Sequence, residues 1–281
     1  MNKDKEPPSS THPVQSTPLL DIEYRGPVVR IALNRPEHLN ALNASLQSDL
    51  RFALKRIASD DSISVLILTG KGKGFCAGLD LKDFAGSLIH FQEKSDREEP
   101  GGNEDTPDSV FEALAAVPQP VIAAINGAAV TGGLEMVLSC DILLAAEGAY
   151  FGDTHVPVGV PPAAGLSQRL ARSVGLHRAL ALSLSADFFS AEEACRWGLV
   201  HKVFPSGELL EEAWRMAEHM AQHDPAMLRD MKHVIRAGGM LPLGEGLRLE
   251  REFHDAWSEK NSSKLAGMGG KAVLERNRNQ R

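Results

Sequence analysis

Cysteine is scarce in this chain. The 281 residues include three, Cys76, Cys140 and Cys195, an odd number set far apart in apolar contexts. That excludes a disulfide framework, fits a reducing compartment and offers no zinc-ligand spacing. Long apolar runs are missing too. No stretch of about 18 uninterrupted apolar residues occurs, so no membrane-spanning helix is expected, and Met1–Ser10 lacks the apolar centre of a secretory signal. The expectation is a soluble protein of the cytoplasm. Positive charge is in deficit, with 30 Lys and Arg against 37 Asp and Glu and a formal net charge of -7. The cations are scattered, which argues against nucleic acid as a partner and means that a polyanionic ligand needs a local cationic site. Finally, no Gly-x-Gly-x-x-Gly follows the first strand-like run and no lysine closes a Gly-rich loop, so a doubly wound nucleotide-binding fold is not expected.

What the chain has is a hydrophobic fraction of 43%, enough to bury the core of one large domain. Residues 1–18 are rich in Pro, Ser, Thr and charge and are expected to form a disordered tail. Leu20–Tyr24 and Val28–Leu33, divided by Arg25-Gly26-Pro27, read as a hairpin. Ser45–Ile57 has helical spacing, and Ser64–Leu68 is a buried strand. Strand and helix then alternate: Val121–Ile125 leads to a helix starting near Gly132, Ile142–Ala145 returns as a strand, and Leu166–Leu184 is helical with a break at Gly175. This is an α/β core. Beyond Ser190, apart from a short strand over Leu199–Val203, the pattern is helical: Glu208–Gln222, Ala226–Ala237, Leu243–Trp257 and Ser263–Arg276. Within residues 87–109 lies a polar run too long for an ordinary connection, either a solvated loop or a lid over a pocket.

Two stretches carry the chemistry: Gly74-Phe75-Cys76-Ala77-Gly78-Leu79-Asp80-Leu81 and Asn126-Gly127-Ala128-Ala129-Val130-Thr131-Gly132-Gly133-Leu134-Glu135. Each ends an apolar strand-like run in small residues, where backbone N–H groups can face a ligand unobstructed, and two such donors can share one oxyanion. With the strand Pro120–Ile125 and Cys140-Asp141, these stretches closely resemble the enoyl-CoA hydratase/isomerase (crotonase) family, from about Leu20 to the C-terminal helix. The resemblance implies a spiral of ββα repeats over residues 19–205 and a helical region, 206–281, that packs trimers or dimers of trimers.

The same resemblance implies an acyl-CoA thioester substrate, with coenzyme A carried by the substrate and no metal or redox cofactor. It makes the amides of Leu79 and Gly132 the oxyanion donors and Glu135 a catalytic carboxylate. Glu135 lies three residues after Gly132, about one turn along the same helix; a Glu there can also simply complement the helix dipole. The second carboxylate of the family's hydratases belongs just after Phe151-Gly152, yet His155 holds that place in this chain. Imidazole can be acid or base near neutral pH. His155 can therefore partner Glu135 or merely line the pocket, and Asp153 can orient His155 or replace it. The backbone of Ala77, Asp80 and Leu81 is expected to follow coenzyme A, along with Gly133. Arg35 and Lys82 are either phosphate or pantetheine neighbours or surface cations, and Lys271 and Arg276 are weaker candidates for the CoA phosphates. His177, His201, His219, His223, His233 and His254 combine into no metal site. The leading reaction is hydration of a trans-2-enoyl-CoA to a 3-hydroxyacyl-CoA. Double-bond isomerisation, thioester hydrolysis or C–C cleavage on the same scaffold, and acyl-CoA binding without turnover are the alternatives.

Overall fold

The computed structural model describes residues 13–83 and 109–262. The chain opens with an antiparallel pair, β1 (Leu20–Arg25) and β2 (Val28–Leu33), followed by α1 (Ala44–Ala58). Asn43 caps α1 by accepting the Leu46 N–H at 2.9 Å, and Leu46, Leu50, Ala53, Leu54 and Ile57 form its buried stripe. Three further turns follow the same plan. They begin with β3 (Val65–Gly70) and β4 (Gly74–Cys76), with β5 (Val121–Ile125) and β6 (Ala128–Val130), and with β7 (Ile142–Ala146) and β8 (Tyr150–Gly152). The first strand of each pair joins a six-stranded sheet ordered β1-β2-β3-β5-β7-β10, and the second joins a four-stranded sheet ordered β4-β6-β8-β9. Here β9 is Phe189–Ser190 and β10 is Lys202–Phe204. β3, β5 and β7 are parallel, as are β4, β6 and β8, because each turn returns through a helical crossover. The helices of these turns are α2 (Val110–Ala115), α3 (Gly132–Ser139), and the short α4 (His155–Val158) with α5 (Leu166–Val174). α6 (Leu176–Ser185) and α7 (Ala191–Arg196) lead on to β10. This is the α/β spiral of ββα repeats expected from the sequence.

The central strands of the large sheet, β2, β3, β5 and β7, are buried on both faces, which explains their apolar runs. Leu66 and Leu68 of β3, with Val121, Ala123 and Ile125 of β5, face the main core that α1 also enters. Val65, Ile67, Ile122 and Ala124 face the other way, against Leu209, Ala213, Trp214 and Ala217 of α8 (Leu209–Met220). α8 thus covers one face of the central sheet.

The described residues divide into two compact units between Leu228 and Arg229, within α9 (Pro225–Gly238). In the second unit the His233 and Phe253 rings approach to 6.2 Å, Phe253 lying on α10 (Leu243–Lys260). Residues 13–18 of the expected tail are among the described residues. Tyr24 Oη accepts the Val14 N–H at 2.9 Å, and the Thr17 hydroxyl donates to Asp49 at 2.7 Å. Residues 1–12, most of the 87–109 loop and the proposed helix 263–276, with Lys271 and Arg276, lie outside the described residues. The C-terminal limit of that loop is Ser109, which caps α2 in a reciprocal arrangement with Glu112.

Candidate active site

The loop after β4 is stitched to the segment preceding α1. Ala77 donates its N–H to the Leu39 carbonyl at 3.0 Å, Leu42 donates to Gly78 at 2.8 Å and Asp80 donates to Leu42 at 3.1 Å. Leu79 pairs with Leu42 in an isolated parallel bridge. In such a bridge the amide of Leu79 faces away from its partner strand, and it donates no hydrogen bond among the described residues. Gly78 permits the turn with a φ of +98°, and a Cβ there would meet the Val130 carbonyl oxygen at 2.9 Å.

Gly132 begins α3, so its amide has no intrahelical acceptor, and it too donates no hydrogen bond among the described residues. The two amides are neighbours: a Cβ added at Gly132 would stand 3.4 Å from the Leu79 nitrogen. Leu79 and Gly132 line one cavity of about 130 Å3, with Glu135, His155, Thr131 and Thr154 as its polar wall and Leu81, Val158 and Val160 among its apolar residues.

Glu135 is 5% exposed. Its Oε1 accepts the Ala164 N–H at 3.1 Å. Burial raises its carboxyl pKa above the ordinary value, an effect partly offset by the Ala164 amide, by His155 and by the Leu166 amide. Across the cavity, His155 Nδ1 lies 2.6 Å from Asp153 Oδ1, and the same oxygen accepts the His155 N–H at 3.1 Å. Asp153 is buried and does not line the cavity. This contact holds the imidazole through Nδ1 and leaves Nε2 as the ring's other polar atom. Of the roles open to Asp153 in the sequence, this geometry favours orientation.

The remaining expected site residues divide. Ala77 and Leu81 line the cavity, but the amides of Ala77 and Asp80 are spent on Leu39 and Leu42. Lys82 is exposed. Arg35 is no surface cation: it is 8% exposed, donates to Asp80 Oδ2 at 3.1 Å and to the Ala41 carbonyl at 2.5 Å, and so anchors the Leu79 loop. Gly133 is a packing residue, because a Cβ there would come within 1.9 Å of the Cys76 carbonyl oxygen. Cys76 itself is fully buried with its thiol pKa pushed up to about 12, which removes it as a nucleophile. Sequence reasoning missed Thr131, Thr154 and the Ala164 amide. The one local signal was the position of Thr131, directly before Gly132.

A ββα spiral whose crossing loops place two unpaired amides beside a buried carboxylate defines a crotonase-fold protein. The enoyl-CoA hydratase/isomerase family model matches residues 23–280, and the chain belongs to that family. It is 40% identical over 232 residues to an Arabidopsis thaliana protein named probable enoyl-CoA hydratase 1, peroxisomal, with 83% of each chain covered. It is 38% identical over 231 residues to the 2,3-dehydroadipyl-CoA hydratase of Escherichia coli K12, covering 80% of this chain and 85% of that one. A crystal structure of enoyl-CoA hydratase from Bacillus anthracis matches with a TM-score of 0.75 at 36% identity, over 84% of this chain and 90% of that one. The protein is thus an enzyme of the hydratase/isomerase kind.

Proposed function

We propose that this enzyme hydrates a trans-2-enoyl-CoA to a 3-hydroxyacyl-CoA. One observation carries the reading: the unpaired Leu79 and Gly132 amides share a cavity with two proton-transfer groups, Glu135 and the Asp153-held imidazole of His155. As water oxygen bonds to the β carbon, the C2=C3 electrons move toward the thioester oxygen, where the paired amides and the α3 N-terminus stabilise the negative charge. One member of the Glu135/His155 pair takes the proton from water and the other supplies a proton to the α carbon. Burial brings the proton affinity of Glu135 closer to that of an imidazole, which suits this exchange. Coenzyme A enters as part of the substrate, and no other cofactor enters the proposal.

The test is a panel of acyl-CoA esters read by mass, with wild type, His155→Ala and His155→Glu assayed on crotonyl-CoA and a 3-enoyl-CoA. Hydration appears as the mass of one water and should collapse in His155→Ala. Isomerisation changes no mass and is the second reading, favoured by an imidazole standing where a second carboxylate would complete a hydratase pair. Wild type that shifts the double bond without adding water, and gains hydration only in His155→Glu, decides for it.

Self-association as a trimer or dimer of trimers is also proposed. Its support is the family membership together with the exposed apolar residues Met231, Ile235, Leu243 and Leu247 in the second unit. A solution mass equal to the monomer at micromolar concentration overturns it. A cytoplasmic setting fits the three free thiols, although curated relatives include a peroxisomal and a mitochondrial protein; cell fractionation decides. Among the described residues no helix is long and apolar enough to cross a membrane.

A further inference from the structure

Thr131 immediately precedes the Gly132 amide and has a φ of 49° and a ψ of -106°. A β-branched residue seldom adopts positive φ, and this ψ lies outside the small left-handed region that L-residues can enter. Such a conformation persists only where its surroundings over-determine it. Three hydrogen bonds do so here. The Thr131 N–H donates to the Gly152 carbonyl at 2.8 Å, the Thr154 N–H donates to Thr131 Oγ1 at 3.1 Å, and the two threonine hydroxyls share a bond of 2.5 Å. Rotation about ψ of Thr131 turns the peptide unit that carries the Gly132 N–H. Thr154 stands between Asp153 and His155, and both threonines line the cavity.

From this geometry we infer that Thr131 and Thr154 form a clasp that positions the oxyanion donor of Gly132 and holds it in register with the Asp153–His155 pair. Both are positioning residues, acting through the peptide and the imidazole beside them. The clasp joins two turns of the spiral through one pair of side-chain hydroxyls. Loosening it leaves the cavity walls in place but lets the amide and the imidazole shift relative to each other. The loss therefore falls on the transition state rather than on the bound ground state. The inference rests on the oxyanion role assigned to Gly132 under the proposed function.

The experiment compares Thr131→Val and Thr131→Ser with Thr154→Val and the Thr131→Val/Thr154→Val double variant, using two readouts. The first is kcat and KM on crotonyl-CoA. The second is the near-ultraviolet enolate band of bound acetoacetyl-CoA, which reports stabilisation of a thioester enolate without any hydration step. Each valine variant should lose about 10- to 100-fold in kcat, with KM changed by no more than about threefold, and should show a weaker enolate band. Thr131→Ser should recover most of both signals. The double variant should be little worse than either single one, as expected for partners in one bond. Valine variants that keep wild-type kcat and the wild-type band overturn the clasp, as does a loss confined to melting temperature or a serine variant as impaired as valine. Should Thr131→Val fail to fold, Thr154→Val reads the same bond from the other side. A wild type that shows the enolate band and its loss in the variants, but adds no water to any enoyl-CoA, sinks the hydratase reading and leaves the clasp standing.

Discussion

His155 Nδ1 lies 2.6 Å from Oδ1 of Asp153, and that same oxygen accepts the His155 amide at 3.1 Å. A carboxylate held at both points by one residue leaves the ring a single orientation. Asp153→Asn keeps the shape but offers the ring an uncharged partner whose amide can turn its NH2 toward Nδ1. Turnover on the substrate identified by the acyl-CoA panel should fall by about 100-fold with KM nearly unchanged. Steady-state kinetics check this, and wild-type kcat in the variant removes Asp153 from the mechanism.

Glu135 carries a proton more readily than an exposed glutamate because burial opposes its ionised form. Its folded pKa is raised above the unfolded value near 4.5. The stability it contributes is therefore fully present below that value and is lost as pH rises through the folded pKa. Glu135→Gln, which cannot ionise, should melt higher than wild type near neutral pH, and this advantage should vanish at about pH 4. Its turnover should drop by about 100-fold or more while acyl-CoA affinity is largely kept. Thermal melts at both pH values and single-substrate kinetics test the two halves separately.

Arg35 and Asp80 connect segments 45 residues apart. Burial alone would raise the Asp80 carboxyl, but hydrogen bonds from Arg35 and the Lys82 amide bring it below the ordinary value of 3.8. The contribution of this carboxylate is present above that value and fades as pH falls through the depressed folded pKa. Arg35→Met removes the guanidinium donor from the Ala41 carbonyl and from the partly screened Asp80 carboxylate and should cost about 1 to 3 kcal/mol. Urea unfolding measures that loss, and a stability unchanged from wild type would refute the anchoring role.

Gly133→Ala drives a Cβ into the Cys76 carbonyl, so strand β4 or helix α3 must move. Neither can give easily, since both are fully packed. A destabilisation of at least about 3 kcal/mol, or failure to accumulate folded protein, is expected. A variant with the wild-type melting temperature would show that the two elements can separate.

Much of the large sheet was legible because its strands are continuous apolar runs. Val28–Leu33 and Val121–Ile125 fall where they were expected, and α5 and α6 meet at Gly175. The four-stranded sheet was not legible. Its strands are two or three residues long, too short to show any period. α8 was read as a helix of the C-terminal region, but the sheet face it covers was not legible, because amphipathicity shows that a helix has an apolar face without showing what covers it. The expected strand over Leu199–Val203 forms as Lys202–Phe204, where the backbone meets β7.

Within the site, the chain alone determined what lies inside one helical turn. Gly132 and Glu135 are three residues apart, and backbone geometry fixes their spacing wherever the helix is placed. The tertiary structure alone decided which distant groups meet: Leu79 beside Gly132, the Ala164 amide on Glu135, Thr131 against Thr154, and Arg35 engaged with Asp80 rather than facing solvent. Local periodicity and capping act over a few residues and leave a mark in the sequence. Contacts between loops depend on how the whole spiral packs, a balance struck across the fold and written in no single segment.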